Sequence, residues 1–179
     1  TTFNIRLVNR WHDYSSHIND PNDDGAATWE FPDEVIFDKF NLHLMDVMGS
    51  GWELKLGRQD FMLGNGMVVL EGTPYDQGRS IYVDGISATK KTEKDTLVLF
   101  GFYNNYRDRT LVINDRHRRL RRGDTWLGGF DWTRNHCPQI QTELYYMYME
   151  IDDDQDSVAR NHFPNEDAEL NVFGLRVFG

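Results

Sequence analysis

Apolar and polar residues alternate along eight segments of this chain, a pattern typical of β-strands that have one face in an apolar environment. In the first segment Phe3, Ile5 and Leu7 share one face, while Asn4 and Arg6 share the other. Helical periodicity is weak, so the pattern predicts an all-β, antiparallel fold. Residues 96–103 are apolar on both faces, which leaves the facing of that segment open. The segments span residues 3–13, 35–46, 52–62, 80–91, 96–104, 124–133, 140–151 and 168–178.

The links between these segments alternate in length. The links after the first, third, fifth and seventh segments are long and polar, whereas those at 47–51, 92–95 and 134–139 are tight. Long loops on one side and tight turns on the other are typical of an up-and-down barrel that crosses an outer membrane. Because a spanning strand needs only about 9–11 residues, half of them facing lipid, a mean hydropathy of −0.64 does not exclude a membrane. We therefore expect residues 1–179 to form one transmembrane β-barrel segment of about eight strands, truncated at both ends.

Aromatic residues cluster near the ends of the segments, as Trp11, Trp52, Tyr103, Trp126 and Trp132 illustrate. Outer-membrane barrels carry aromatic girdles at both interfaces, where a ring keeps its polar edge in water. Filling of a soluble core is the alternative interpretation. The placement of long links on one side and tight turns on the other favours the interpretation of these aromatic residues as interface girdles.

Composition and motifs narrow the range of functions that this chain is expected to have. A net charge of −10 disfavours nucleic acid as a partner, since binding of phosphates needs clustered Lys and Arg. The histidines lack zinc-ligand spacing, and neither a nucleophile motif nor a phosphate-cradling loop is present. We therefore expect neither an enzyme nor a resident cofactor, although counting carboxylates does not exclude a paired-acid glycosidase. The basic run at 116–122 is a candidate for attracting an anionic substrate or for binding lipopolysaccharide phosphates. A solvated loop paired with neighbouring acidic loops is the alternative, and it is slightly favoured.

One acidic link has the opening of a calcium loop. Asp20, Asn22 and Asp24 offer oxygen ligands at alternate positions before a glycine. Phe31 occupies the twelfth position, where a calcium hand needs a bidentate Glu, and Pro21 interrupts the loop. The expectation is a solvated acidic loop, with Ca²⁺ bridging as a weak candidate.

Two stretches resemble a known family. Residues 54–66 (LKLGRQDFMLGNG) and 76–85 (DQGRSIYVDG) are similar to a pattern of the alginate-export outer-membrane porins: a strand ending in Gly-Arg-Gln, a Gly-rich loop, and an Arg and an aromatic leading into an Asp-Gly strand. The stretch 126–130 and the Tyr-rich strand after Cys137 fit the same pattern more loosely. The resemblance implies a monomeric eighteen-stranded barrel in the bacterial outer membrane, surrounded by lipid and lipopolysaccharide. Such a barrel passes an acidic polysaccharide or smaller anionic saccharides through a basic constriction, and this chain would be its N-terminal part.

Polar positions of the strands supply candidates for the pathway. Fixed positive charge in a low-dielectric wall attracts polyanions, and Arg binds carboxylates bidentately. Strict alternation puts Arg58 on the face of Leu54 and Leu56, so Arg58 needs a bulge at Gly57 or a position above the bilayer. A rigid lattice of salt bridges is the alternative role for these charges. The candidate cations and their acidic partners are Arg6, Arg10, Lys55, Arg58, Arg79, Asp84, Asp131 and Glu143.

Three hypotheses stay open at this point. The first is a segment of a porin with charge-selective passive diffusion. The second is a closed eight-stranded outer-membrane anchor or adhesin, whose interior side chains would fill. The third is a soluble ligand-binding barrel of the lipocalin type, with its apolar stripes pointing inward. Pairing of the last strand with the first would support the second, and the third is tested by the exposure of Phe3, Ile5, Leu54, Leu56, Phe173 and Leu175.

Overall fold

The chain folds as one antiparallel sheet. The computed structural model describes residues 1–10, 34–66, 68–69, 82–105, 111–114, 124–152 and 167–178. In this part of the chain, no helix is long and apolar enough to cross a membrane. The strands within these ranges are β1 (Thr2–Arg10), β2 (Glu34–Leu44), β3 (Trp52–Gln59), β4 (Val83–Lys91), β5 (Asp95–Asn104), β6 (Leu111–Asn114), β7 (Asp124–Cys137), β8 (Ile140–Asp152) and β9 (Ala168–Phe178).

The eight long strands confirm the all-β, antiparallel prediction, and they run in the order β1-β2-β3-β4-β5-β7-β8-β9. The tight turns at 45–51, 92–94 and 138–139 all lie at one end of this sheet, and the longer links lie at the other. The short β6 was not predicted. It falls within the link between β5 and β7 and pairs with the start of β2.

The sheet has two open edges. Among the described residues, β1 pairs with β2 and β9 pairs with β8, and β1 and β9 do not pair with each other. A closed eight-stranded barrel requires that missing pairing, so the described strands do not support the second hypothesis.

One face of the sheet, here called the outer face, carries the predicted apolar stripes. Phe173 is 78% exposed and Ile5 is 53% exposed, and Phe3 and Leu175 are exposed as well. Leu54 and its neighbour Leu56 are half-buried. The side chains of the predicted apolar stripes are therefore wholly or partly exposed on the outer face. One row of side chains crosses seven strands in direct cross-strand register: Leu44, Leu54, Ala88, Leu99, Phe130, Tyr146 and Phe173.

The opposite face, here called the inner face, is covered near the long links by residues 60–66 and 68–69, which we call the inward segment. The side chain of Leu63 is fully buried, and the ring centroid of Phe61 lies 4.6 Å from that of Phe100 and 4.8 Å from that of Phe102. The segment closes on itself through the amide of Leu63, which donates to the carbonyl of Val69 at 2.9 Å. Strand β3 therefore ends at Gln59, before the predicted residue 62. The buried cluster comprises Leu63, Val83, Phe100, Phe102, Leu127 and Met147.

Glycines on the inner face lie beneath aromatic rings. Gly129 is the cross-strand partner of Phe100, and Gly174 is the partner of Tyr145. A Cβ added at Gly174 would collide with the ring of Tyr145, which lies directly over it. An aromatic ring that covers a cross-strand glycine restores packing that the missing side chain would otherwise lose. These contacts fix the rings of β5 and β8 against neighbouring backbone.

Candidate functional site on the inner face

A four-residue ionic network ties the inward segment to the first two strands. The β1–β2 register passes from Arg6 opposite Lys39 to Leu7 opposite Phe37, so Asp38 is an extra residue in a β-bulge. The buried side chain of Asp38 forms an ion pair with Arg6, and Lys39 pairs with Asp60. Arg6 also approaches Asp60, with 3.6 Å between Nη2 and Oδ1. Asp60 begins the inward segment, so these pairs hold that segment against β1 and β2.

Arg58 does not join this network. The β2–β3 register continues through Gly57 without a shift, so Arg58 stays on the face of Leu54 and Leu56. The bulge that would have turned it inward is absent, and its partner Asp84 stays on the same face. The expectation that Asp84 lies inside the barrel was therefore wrong, whereas for Arg58 the structure excludes only one of the two alternatives, the bulge at Gly57. Both residues lie on the outer face, at its long-link end.

The guanidinium of Arg58 is held by a carboxylate, a backbone carbonyl and an aromatic ring. Its Nε and Nη2 donate to the two carboxylate oxygens of Asp84 at 2.8 Å and 2.7 Å. Its Nη1 donates to the carbonyl of Phe37 at 2.9 Å, and the ring of Tyr82 lies 3.8 Å away. The residue is only 5% exposed. Arg58 thus serves the structure as a buried ion pair, the alternative role that the sequence left open.

Two predicted acidic residues do meet on the inner face. Asp131 and Glu143 lie on the same face of the adjacent strands β7 and β8, one cross-strand step apart, so that their carboxylates interact electrostatically. Arg176 of β9 compensates this pair, with its Nε 2.7 Å from an Oε of the buried Glu143. Arg176 was not among the predicted site residues. Its position on the face opposite Phe173 and Leu175 was the signal that could have identified it.

Lys55 is the candidate cation that stays accessible on the inner face. It lies opposite His43 and Ser87, and its side chain is exposed. Within the described residues, it forms no ion pair. Other cations of this face also reach solvent. Arg6, Lys39 and Arg176 are paired but 30–40% exposed, and Lys91 is exposed near the tight turns. Among the predicted pathway residues whose side chains the structure describes, Lys55 is the accessible cation without an ion pair.

Several predicted residues fall outside this description. Arg10 is the last residue of β1, and its side chain is not among those described. In the described ranges, no group of three or more His, Cys, Asp or Glu side chains could hold a metal ion. Arg79, the basic run at 116–122 and the weak calcium candidates lie outside the described residues, the last being Asp20, Asn22 and Asp24.

Comparison with known proteins adds no relative. No protein-family model, curated protein or solved structure matches the chain. The class that the fold defines is an all-β protein built on one antiparallel sheet of eight long strands.

Proposed function

We propose that this chain forms part of the wall of a bacterial outer-membrane porin of the alginate-export type, through which small anionic saccharides diffuse passively. The observation that carries the proposal is the polarity of the two faces. The outer face presents exposed apolar side chains, and the inner face holds ion pairs, polar groups and an accessible Lys55.

The outer face is suited to lipid. A soluble monomer seldom exposes a contiguous apolar patch of more than a few hundred Å², whereas here exposed apolar side chains extend from β1 to β9. Aromatic rings accompany this band at its long-link end, where the ring centroids of Tyr103 and Trp126 are 4.5 Å apart. Trp52 and Trp132 lie towards the tight turns, on the same face. This arrangement matches an apolar belt between two aromatic girdles.

The open edges favour a larger barrel. Unpaired N–H and C=O groups are costly in hydrocarbon, so strand edges are not stable there. In a membrane β1 and β9 would therefore pair with additional strands. The eighteen-stranded architecture that the sequence resemblance implies would supply them.

The inner face supports passage of a small anion. Lys55 is free to attract a carboxylate, and Arg6 stands at the network that anchors the inward segment. Fixed positive charge beside a low-dielectric wall raises the local concentration of anions. The inward segment occupies part of the space over this face and would narrow the path. A small saccharide therefore fits the proposal better than a thick polymer.

A soluble ligand-binding barrel is the second candidate, and one observation favours it. The inner face holds a buried apolar cluster around Phe100, Phe102 and Leu127, as the lining of an apolar ligand cavity would. The exposed outer stripes argue against it, because in that class they would point inward. A porin would be recovered in the outer-membrane fraction, whereas a soluble ligand-binding barrel would be recovered in the soluble fraction.

The test combines fractionation with conductance. The full-length protein should be recovered in the bacterial outer-membrane fraction and should form anion-preferring channels in planar lipid bilayers. Lys55→Glu should move the reversal potential in a salt gradient towards cation preference. Lys94→Glu, the same charge change in the exposed turn at 92–94, is the matched control and should leave the reversal potential near that of the wild type. Recovery in the soluble fraction would support the second candidate, and equal selectivity of the two variants would remove Lys55 from the pathway.

A further inference from the structure

One cross-strand row of the outer face contains a lysine among aromatic and aliphatic side chains. Lys90 faces Trp52 on β3 and Leu97 on β5 directly. The other members of the row are apolar or aromatic, so Lys90 is its only charged residue. The row lies near the tight turns and comprises Trp52, Lys90, Leu97, Trp132, Leu144 and Leu175.

This row lies at the border between the apolar and the charged residues of the outer face. Towards the centre of the sheet it adjoins the apolar row that contains Leu54, Ala88 and Leu99. Towards the tight turns, the next residues of the outer face on β5 and β7 are Asp95 and Arg134, which form an ion pair. The short turns of an outer-membrane barrel are periplasmic. The border would therefore lie at the head groups of the periplasmic leaflet, where phospholipids carry their phosphates.

The ammonium of Lys90 is not neutralised by the protein. Within the described residues it forms no ion pair, and it lies 5.6 Å from the ring centroid of Trp52, inside the ~6 Å reach of a cation–π contact. The side chain of Lys90 is half-buried. Asp95, the carboxylate at the end of β5, already accepts from the indole of Trp132 at 3.1 Å and pairs with Arg134. Because charge is costly at the edge of hydrocarbon, an anion from the membrane would stabilise this ammonium.

Trp52 adds a hydrogen-bond donor at the same position. In the part of the chain that the structure describes, its indole N–H has no acceptor, whereas the indole N–H of Trp132 donates to Asp95. An indole ring at a membrane interface keeps its polar edge among the head groups. Lys90 and Trp52 thus offer two donors to a phosphate group, and the hydrogen bond from the ammonium is charge-assisted.

We propose that Lys90 and Trp52 bind the phosphate of an anionic phospholipid, phosphatidylglycerol, in the periplasmic leaflet of the outer membrane. The inference rests on the proposed function, because it requires the outer face to lie against lipid and the tight turns to be periplasmic. It adds a head-group site to a face that otherwise contacts acyl chains. Phosphatidylethanolamine fits less well, because its own ammonium competes with that of Lys90 for the phosphate.

The test is lipid retention measured by native mass spectrometry. The full-length protein, purified in nonionic detergent, is mixed with equal amounts of phosphatidylglycerol and phosphatidylethanolamine that have the same acyl chains. The wild type should retain the first about fivefold over the second, the effect of one lysine beside an anionic head group. Lys90→Gln should abolish this preference, because it removes the charge and keeps most of the side chain. Lys90→Arg, which keeps the charge, should preserve it.

Matched controls separate the position of the charge from its presence. Lys91→Gln removes the same charge one residue further along β4, where the side chain is exposed on the inner face, and should keep the preference of the wild type. Trp52→Phe keeps an aromatic ring but removes the free N–H, and it should lower retention of phosphatidylglycerol about threefold, the effect of one hydrogen bond. Trp132→Phe should leave retention unchanged, because the indole N–H that it removes donates to Asp95.

The outcomes distinguish this inference from the proposed function. Channels that conduct normally while Lys90→Gln retains phosphatidylglycerol like the wild type would overturn the head-group site and leave the porin intact. Equal losses in Lys90→Gln and Lys91→Gln would overturn the site as well, because net charge would then explain the retention. Equal retention of the two phospholipids by the wild type would overturn the preference for phosphatidylglycerol. Recovery of the protein in the soluble fraction would overturn both proposals.

Discussion

The buried ion pair between Arg58 and Asp84 allows a quantitative test of the fold. The two residues face each other directly across β3 and β4. If the register through Gly57 is as described, they are coupled much more strongly than an ordinary surface pair. A double-mutant cycle with Arg58→Met and Asp84→Asn measures that coupling.

The expected magnitudes follow from burial. Breaking a buried ion pair on one side costs about 3–5 kcal/mol, because the other charge loses its partner away from water. Arg58 is 5% exposed but Asp84 is 36% exposed, so water reaches one side of the pair. We therefore expect Asp84→Asn to lower the free energy of unfolding by about 3 kcal/mol, the bottom of that range. Arg58→Met should cost about 2 kcal/mol, since it removes the two hydrogen bonds to Asp84 and the one to the carbonyl of Phe37 but leaves a carboxylate that water can reach.

The assay is urea unfolding of the full-length protein in lipid vesicles, followed by tryptophan fluorescence. The double variant should be about as unstable as Asp84→Asn alone, which gives a coupling energy of about 2 kcal/mol. The matched control is the pair of Asp95 and Arg134, which also face each other directly but lie 3.8 Å apart and are 32% and 45% exposed. Its coupling energy should stay below about 0.5 kcal/mol. Equal coupling in the two cycles would refute the burial and the register on which the reasoning depends.

Two further predictions concern the inner face. Gly129→Ala should lower the free energy of unfolding by about 1–3 kcal/mol, because the added Cβ would collide with a backbone carbonyl of β8. Gly101→Ala, whose Cβ meets nothing, should change it by less than about 0.5 kcal/mol in the same urea titration; similar losses would contradict the glycine packing. Asp60→Asn should speed amide hydrogen exchange at Leu63 about fivefold, since the loss of two ion pairs removes about 1 kcal/mol from the inward segment. Glu53→Gln, whose ion-pair partner is His43, is the control, and equal exchange in both variants would mean that the network does not hold the segment.

The sequence predicted the strands well because one face of the sheet is uniformly apolar. Alternation over five or more residues identifies such strands, and the predicted starts of the third, sixth, seventh and eighth segments coincide with the starts of β3, β7, β8 and β9. The ends of the strands were predicted less accurately than their starts. Strand β7 continues to Cys137 because its polar end still pairs with β8, which alternation of apolar residues cannot reveal.

The site was harder to predict because it depends on contacts between distant segments. The single extra residue Asp38 puts two consecutive side chains into one ionic network, and a bulge of this kind has no signal in the alternation. Phe100 and Phe102 face inward because the inward segment covers them, and their strand is apolar on both sides. The sequence marked residues 64–66 as a Gly-rich loop but contained nothing to show that the loop folds over the sheet.

The pairing of β6 with β2 has a consequence for the end of the sheet where the long links lie. It carries the connection between β5 and β7 past the ends of β3 and β4, to the backbone of residues 34–36. That end of the sheet is therefore bounded in part by backbone peptide groups of β2 and β6 that pair with one another, so its shape there is set by the main chain.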